Sequence, residues 1–304
     1  MKMSEKYMQN IGFIGIGVMG KSMVKNLLKK GFTVSVYTRT KQKAEEVIEQ
    51  GALWCDSIAE CVNQKDVVIT MVGYPKDVEE VYFGEKGILE NAQKGTYVID
   101  MTTTSPQLSE KIYQEGAKKG ISALDAPVSG SDIGAAQGTL SIMVGGNKEA
   151  FESCKNIFKA LGKNIVYQGK AGCGQHTKMA NQIALAGAIS GVCEALTYAK
   201  AAGLDLQTML DSISKGAAGS WQMDNMAPRI LKQDFAPGFF IKHYVKDLNI
   251  ASEEVQCRNI HLDVLQVVRN MYQSMESAGQ GDFGTQALIK YYDTSVVEKR
   301  DTDE

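Results

Sequence analysis

The sequence predicts an α/β protein: a mostly parallel, doubly wound sheet with helices on both faces, followed by an all-helical second half. Three observations carry this expectation. From residue 10 to about 167, short β-branched runs alternate with amphipathic stretches, and after Gly172 the strand-like runs stop. The third is size: 304 residues with 44% hydrophobic content exceed a usual domain of roughly 100 to 200 residues and divide better into two. The expected domains are 1–171 and 172–304.

The elements follow in order. "IGFIGI", "FTVSVYT", "DVVITMV", "TYVIDMT", "ISALDAP", "TLSIMVG" and "NIVYQG" read as strands, bounded by turn residues and separated by helical stretches. In the second half, "HTKMANQIALAGAISGVCEALTYAKAAG" and "VKDLNIASEEVQCRNIHLDVLQVVRNMYQSMESAG" carry helical periodicity. No proline falls between Pro127 and Pro228, so nothing interrupts a helix from about 173 to 201. That helix is apolar around most of its circumference and needs cover on several sides, which makes a homodimer or homotetramer expected. The terminal "EKRDTDE" has nothing to bury and reads as disordered.

Charge and cysteine usage narrow the function. A formal net charge of -2 and a pI near 6.0 offer no clustered positive surface for nucleic acid or membrane lipid, so the ligand is expected to be small. The six cysteines form no CxxC pair and no metal-ligand spacing with His176, His243 and His261, so no metal is expected and the thiols read as free and buried. The first residues, "MKMSEKYMQN", lack the apolar run of a signal peptide. In the helical half, the longest uncharged run, Met179 to Cys193, falls short of the roughly 20 apolar residues of a membrane helix. A cytoplasmic protein is expected.

"IGFIGIGVMGKSMVKNLLKKG" places Gly15, Gly17 and Gly20 in a GxGxxG directly between a strand and a helix, and "FTVSVYT" completes a βαβ unit. In that context the pattern is a dinucleotide-binding motif of the Rossmann type. Gly15 permits the tight turn, Gly17 lets the backbone approach a pyrophosphate, and Gly20 allows close packing of the helix. The backbone of Ile16, Val18 and Met19 shares the turn and helix N-terminus that face the phosphates. An NAD site wants Asp or Glu at the end of the second strand, but this chain has Thr38, Arg39, Thr40 and Lys41. An Arg fork and hydroxyl donors suit a 2′-phosphate, so NADP(H) is expected over NAD(H).

Other strand ends should complete the pocket. These are Met71 and Val72 in "MVGYP", Thr102 in "DMTTTSP", and the loop "DAPVSGSDIGAAQGTL". Thr103 and Thr104 read instead as caps of a helix whose start Ser105–Pro106 signals.

Four ordered motifs, "GFIGIGVMG", "DAPVSGSDIGAAQGTLSIMVGG", "GQHTKMANQ" and "FAPGFFIKHYVKDLNIA", resemble the β-hydroxyacid dehydrogenases over nearly the whole chain. This group includes 3-hydroxyisobutyrate dehydrogenases, tartronate semialdehyde reductases and glyoxylate or succinic semialdehyde reductases. The resemblance implies that Ser129 and Gly130 hold a substrate carboxylate and that Lys178 is the catalytic acid/base. It further implies that Asn181 and Gln182 orient substrate, that Phe239 walls the pocket with Asp247 nearby, and that Lys246 contacts the cofactor. The chain departs from the family in having Ser131 where SGG is usual, and Gln182 where many members have Asn.

The activity implied is reduction of a small carboxylate-bearing semialdehyde, or glyoxylate, to a hydroxyacid. A competing class is a non-catalytic NADP-binding interaction protein of the same fold; such relatives replace the lysine matching Lys178.

Overall fold

The computed structural model describes residues 8–298. They fall into two compact units that divide between Lys178 and Met179. Residues 1–7 and 299–304, which include all of the expected disordered tail except Glu298, lie outside the described residues.

The first unit is built on one nine-stranded sheet. Its strands are β1 Asn10–Ile14, β2 Thr33–Tyr37, β3 Leu53–Trp54, β4 Val67–Thr70, β5 Tyr97–Asp100, β6 Ser122–Asp125, β7 Val128–Ser129, β8 Leu140–Gly146 and β9 Gly162–Gly169. Strands β3, β2, β1, β4, β5 and β6 lie side by side in that order, all parallel. β8 then runs antiparallel to β6 and β7 and parallel to β9.

Residues of the central strands pack alternately on the two faces. Ile11, Phe13, Val34, Val36, Val67, Ile69 and Ile99 join one core, and Ile14, Val68, Val98 and Ala123 the other. Burial on both faces explains why these strands read as continuous apolar runs rather than alternating ones. β3 and β7 were absent from the sequence expectation because two residues carry no periodicity.

Chain order reverses between β1 and β4, so the crevice beyond their carboxyl ends is where an open sheet of this kind binds its ligand. Gly15 follows β1 and Met71 follows β4, and both belong to loops singled out from the sequence.

The second unit is helical, with one isolated bridge, Phe240 to Gly284, among the described residues. Its core is organised by the helix Ile241–Cys257, which buries Ile241, Tyr244, Val245, Leu248, Ala251 and Val255 at three- and four-residue spacing. The Tyr244 ring meets Tyr272 edge-on at 5.0 Å, and both hydroxyls donate to backbone carbonyls, of Gln182 at 3.0 Å and Thr285 at 2.7 Å.

The helix Cys173–Ala201 runs across the division between the units, with the limits expected from the proline-free stretch. Length and composition alone would let it cross a membrane, a test that the core helix of a soluble protein also passes. Its most apolar window is 44% buried, so it is less completely covered than the sequence suggested. All six cysteines are free; four are buried, Cys173 is partly buried and Cys257 is exposed.

Candidate active site

The glycine turn has the geometry its motif requires. Gly15 has φ +101°, and a Cβ there would lie 2.2 Å from the Met71 carbonyl oxygen, so the turn is pressed against the end of β4. A Cβ at Gly20 would lie 2.0 Å from the Gly15 carbonyl oxygen, which fixes how closely the helix Val18–Lys29 packs. A Cβ at Gly17 would meet nothing within 4 Å, and no side chain caps the helix it begins. Open space in front of uncapped N–H groups fits a pyrophosphate. Ile16 is buried, Met19 partly buried and Val18 exposed.

The end of β2 holds a feature that local sequence did not reveal. Arg39 is mostly exposed, and its Nη2 lies 3.1 Å from Asp77 Oδ1. Asp77 comes from the helix Pro75–Phe83, where its Oδ2 accepts from the Tyr74 N–H at 3.0 Å. A carboxylate is therefore present beside β2 after all, supplied from 38 residues away and paired with the arginine. Thr38 is partly buried, Thr40 is exposed, and the Lys41 ammonium sits 5.2 Å over the Trp54 ring.

Lys178 is 6% exposed, and its Nζ donates to the Val128 carbonyl at 2.9 Å. Val128 immediately precedes Ser129 and Gly130, so the lysine is tied to the loop expected to hold a carboxylate. Gly130 has φ +136° and Ser131 φ +58°. The left-handed backbone at Ser131 explains why glycine is usual at that position of the motif.

The start of the lysine helix is held by groups the sequence reading passed over. Asp125 Oδ1 accepts from the Gly172 N–H at 2.9 Å, and its Oδ2 accepts from the Gln175 N–H at 3.0 Å. Burial pushes the Asp125 carboxyl up, and these N–H groups oppose the shift. The Gln175 side chain reaches the loop after β5: Nε2 donates to the Thr102 carbonyl at 2.8 Å, and Oε1 accepts from the Thr104 N–H at 3.1 Å. Thr102 Oγ1 accepts in turn from the Val72 N–H at 3.0 Å. Helical spacing carried the missed signal, because Gln175, Lys178 and Gln182 recur at steps of three and four along one side of the helix.

In the second unit, Gln182 Nε2 donates to Asp247 Oδ2 at 2.5 Å, and its Oε1 accepts from Asn181 Nδ2 at 2.8 Å. Lys246 Nζ lies 3.0 Å from Asp247 Oδ1. The expected residues Asn181, Gln182, Lys246 and Asp247 are thus one connected polar group. The Phe239 ring packs 5.5 Å from that of Tyr244.

Asp100, at the end of β5, is 2% exposed and has its pKa raised from 3.8 to about 6, chiefly by burial and against hydrogen bonds from Thr70 and Thr102. Both donate to Oδ1, while Oδ2 has no partner among the described residues. The folded state holds this proton more tightly than the unfolded chain does. The contribution of Asp100 is therefore intact below 3.8 and is lost as pH rises through about 6, a change of about 3 kcal/mol. In denaturant titrations from about pH 4 to pH 7, Asp100→Asn is expected to remove most of that fall, because an amide keeps the Oδ1 acceptor without the charge.

Residues 10–169 match the family model described as the NAD binding domain of 6-phosphogluconate dehydrogenase. Residues 172–292 match that described as NAD-binding of NADP-dependent 3-hydroxyisobutyrate dehydrogenase. The chain belongs to the β-hydroxyacid dehydrogenase family. As a β-hydroxyacid dehydrogenase it is an NAD(P)-dependent oxidoreductase.

An uncharacterized oxidoreductase of Bacillus subtilis is 53% identical over 93% of this chain and 99% of its own length. A probable 3-hydroxyisobutyrate dehydrogenase-like mitochondrial protein of Arabidopsis thaliana is 45% identical over 92% of this chain and 84% of its own. Among solved structures, 3-hydroxyisobutyrate dehydrogenase of Mycobacterium tuberculosis with L-serine aligns at a TM-score of 0.86 and 29% identity, covering 93% of this chain and 98% of that one.

Proposed function

We propose that this β-hydroxyacid dehydrogenase is an NADP(H)-dependent reductase. It converts a small carboxylate-bearing semialdehyde, or glyoxylate, to the hydroxyacid with Lys178 as general acid, and the same lysine acts as base in the reverse direction. The observation that carries this reading is the placement of Lys178: a buried ammonium donating to the carbonyl next to Ser129 and Gly130. The nicotinamide, when bound, supplies the hydride. The Ser129 hydroxyl and the Gly130 backbone hold the substrate carboxylate, which leaves the carbonyl oxygen to Lys178 Nζ. That group moves a proton onto the oxygen as negative charge develops there. Asn181 and Gln182 orient the substrate, with Gln182 held in turn by Asp247; Phe239 gives an apolar wall and Lys246 a further cation.

The glycine turn, Ile16 to Met19, Met71, Val72 and Thr102 make the cofactor seat, and Thr38, Arg39 and Thr40 receive the 2′-phosphate. The Arg39–Asp77 pair tempers that preference, because the arginine must share its fork between carboxylate and phosphate. For an exposed pair worth up to about 1 kcal/mol, Asp77→Asn is expected to tighten NADPH, but not NADH, by up to about fivefold. Parallel fluorescence titrations with the two cofactors check this.

We further propose domains dividing at 171, and a homodimer or homotetramer in the cytoplasm. Ala180, Ala184, Gly191 and Tyr198 are exposed along the long helix, and cover by a second copy fits their small or apolar character.

The test follows NADPH and NADH absorbance against glyoxylate and semialdehydes bearing three- and four-carbon chains. Turnover with NADPH and at least one of these supports the reading; none with any would sink it.

A further inference from the structure

The buried amide of Gln175 has no role in hydride or proton transfer, yet it joins three parts of the first unit. Its side chain is 0% exposed and spans the backbone of the β5 loop, donating to the Thr102 carbonyl at 2.8 Å and accepting from the Thr104 N–H at 3.1 Å. These partners fix which amide atom is which, since a carbonyl only accepts and a backbone N–H only donates. Its own N–H is held by Asp125 at 3.0 Å, beside the Gly172 N–H at 2.9 Å. Through Thr102 Oγ1 the connection continues to the Val72 N–H at 3.0 Å. Lys178 follows three residues later on the same helix, less than one turn away.

The helix is thereby registered against two strand-end loops, those of β4 and β5, and against β6 itself. The strand ends locate the cofactor's reacting ring, and the helix locates the proton donor. A clip between them sets the distance and angle at which hydride and proton reach one carbonyl, where small displacements cost large factors in rate.

We propose that Gln175 is a positioning residue for the reaction, acting through Lys178 by locking the lysine's helix turn to the cofactor-facing loops at Thr102 and Val72. This rests on Lys178 being the proton donor.

The test is a double-mutant cycle on the full-length protein with NADPH and whichever aldehyde of the panel turns over, read as single-turnover rates per folded enzyme. Gln175→Met keeps the volume and removes both bonds. It is expected to lower the rate about 10- to 100-fold with little change in KM for NADPH. Placed on Lys178→Met, the same change is expected to cost less than about threefold, because residues acting as a unit are not additive. Equal factors in both backgrounds would overturn the proposal while leaving Lys178 as the donor; full activity of Lys178→Met would overturn the underlying reading instead.

If Gln175→Met does not accumulate folded, Gln175→Glu decides. Its neutral acid can donate to the Thr102 carbonyl and its carboxylate cannot. Its rate per folded molecule should therefore recover toward that of the parent as pH falls, and a ratio to the parent that does not change with pH contradicts positioning.

Discussion

Lys178→Met is expected to lower kcat for aldehyde reduction about 1,000-fold while NADPH binds as tightly as before. A positioned acid contributes roughly 100- to 10,000-fold, and methionine fills the lysine's space with no proton to give. NADPH affinity should hold because the glycine turn, Val72 and Thr102 are left in place. The substitution also strips the Val128 carbonyl of its donor, and a buried acceptor left unmade costs about 1–3 kcal/mol. Thermal denaturation must accompany the kinetics for that reason. Lys178→Arg separates the two effects: arginine can still donate to Val128, but it gives up a proton too reluctantly to act as acid. Its kcat should stay low even where its stability is restored.

Gly15→Ala is expected to abolish measurable NADPH binding and to lower stability by about 2–5 kcal/mol. The added methyl carbon would lie 2.2 Å from the Met71 carbonyl oxygen, on a residue whose φ is +101°. Backbone on both sides of the β1–β4 crevice must separate to admit it, and in open sheets of this kind a dinucleotide binds in that crevice. Gly31→Ala is the control: its φ is +85° but no atom lies within 4 Å of the added carbon. It should show only the conformational cost of about 1–2 kcal/mol and bind cofactor normally. Calorimetry and cofactor titration of the two variants distinguish a clash at the site from general backbone strain.

The sheet was legible because its central strands are buried on both faces and read as unbroken β-branched runs. The long helix was legible because no proline interrupts it. The glycine turn was legible because Gly15 and Gly20 answer separate local demands, a left-handed φ against the β4 end and a close approach of the helix to the turn. Contacts closed across the fold left little local trace. Asp77 pairs with Arg39 only because the Pro75–Phe83 helix starts beside the end of β2. Asp125 caps a helix that starts nearly 50 residues later, only because β6 ends beside it. Gln175 was the exception, since its spacing from Lys178 lay in the sequence. A glutamine beside His176 and Thr177 at a helix start is easily taken for a solvated residue, and only its partners at Thr102 and Thr104 show otherwise.

The central claim is that Lys178 gives the proton, and the pH dependence of kcat for aldehyde reduction, measured on the parent enzyme and on Lys178→Met, tests it most directly. The parent should lose activity on the alkaline side as the ammonium gives up its proton, and the variant should keep its low rate without that descending limb. A variant that retains the same alkaline limb, or turns over at the parental rate, would contradict it.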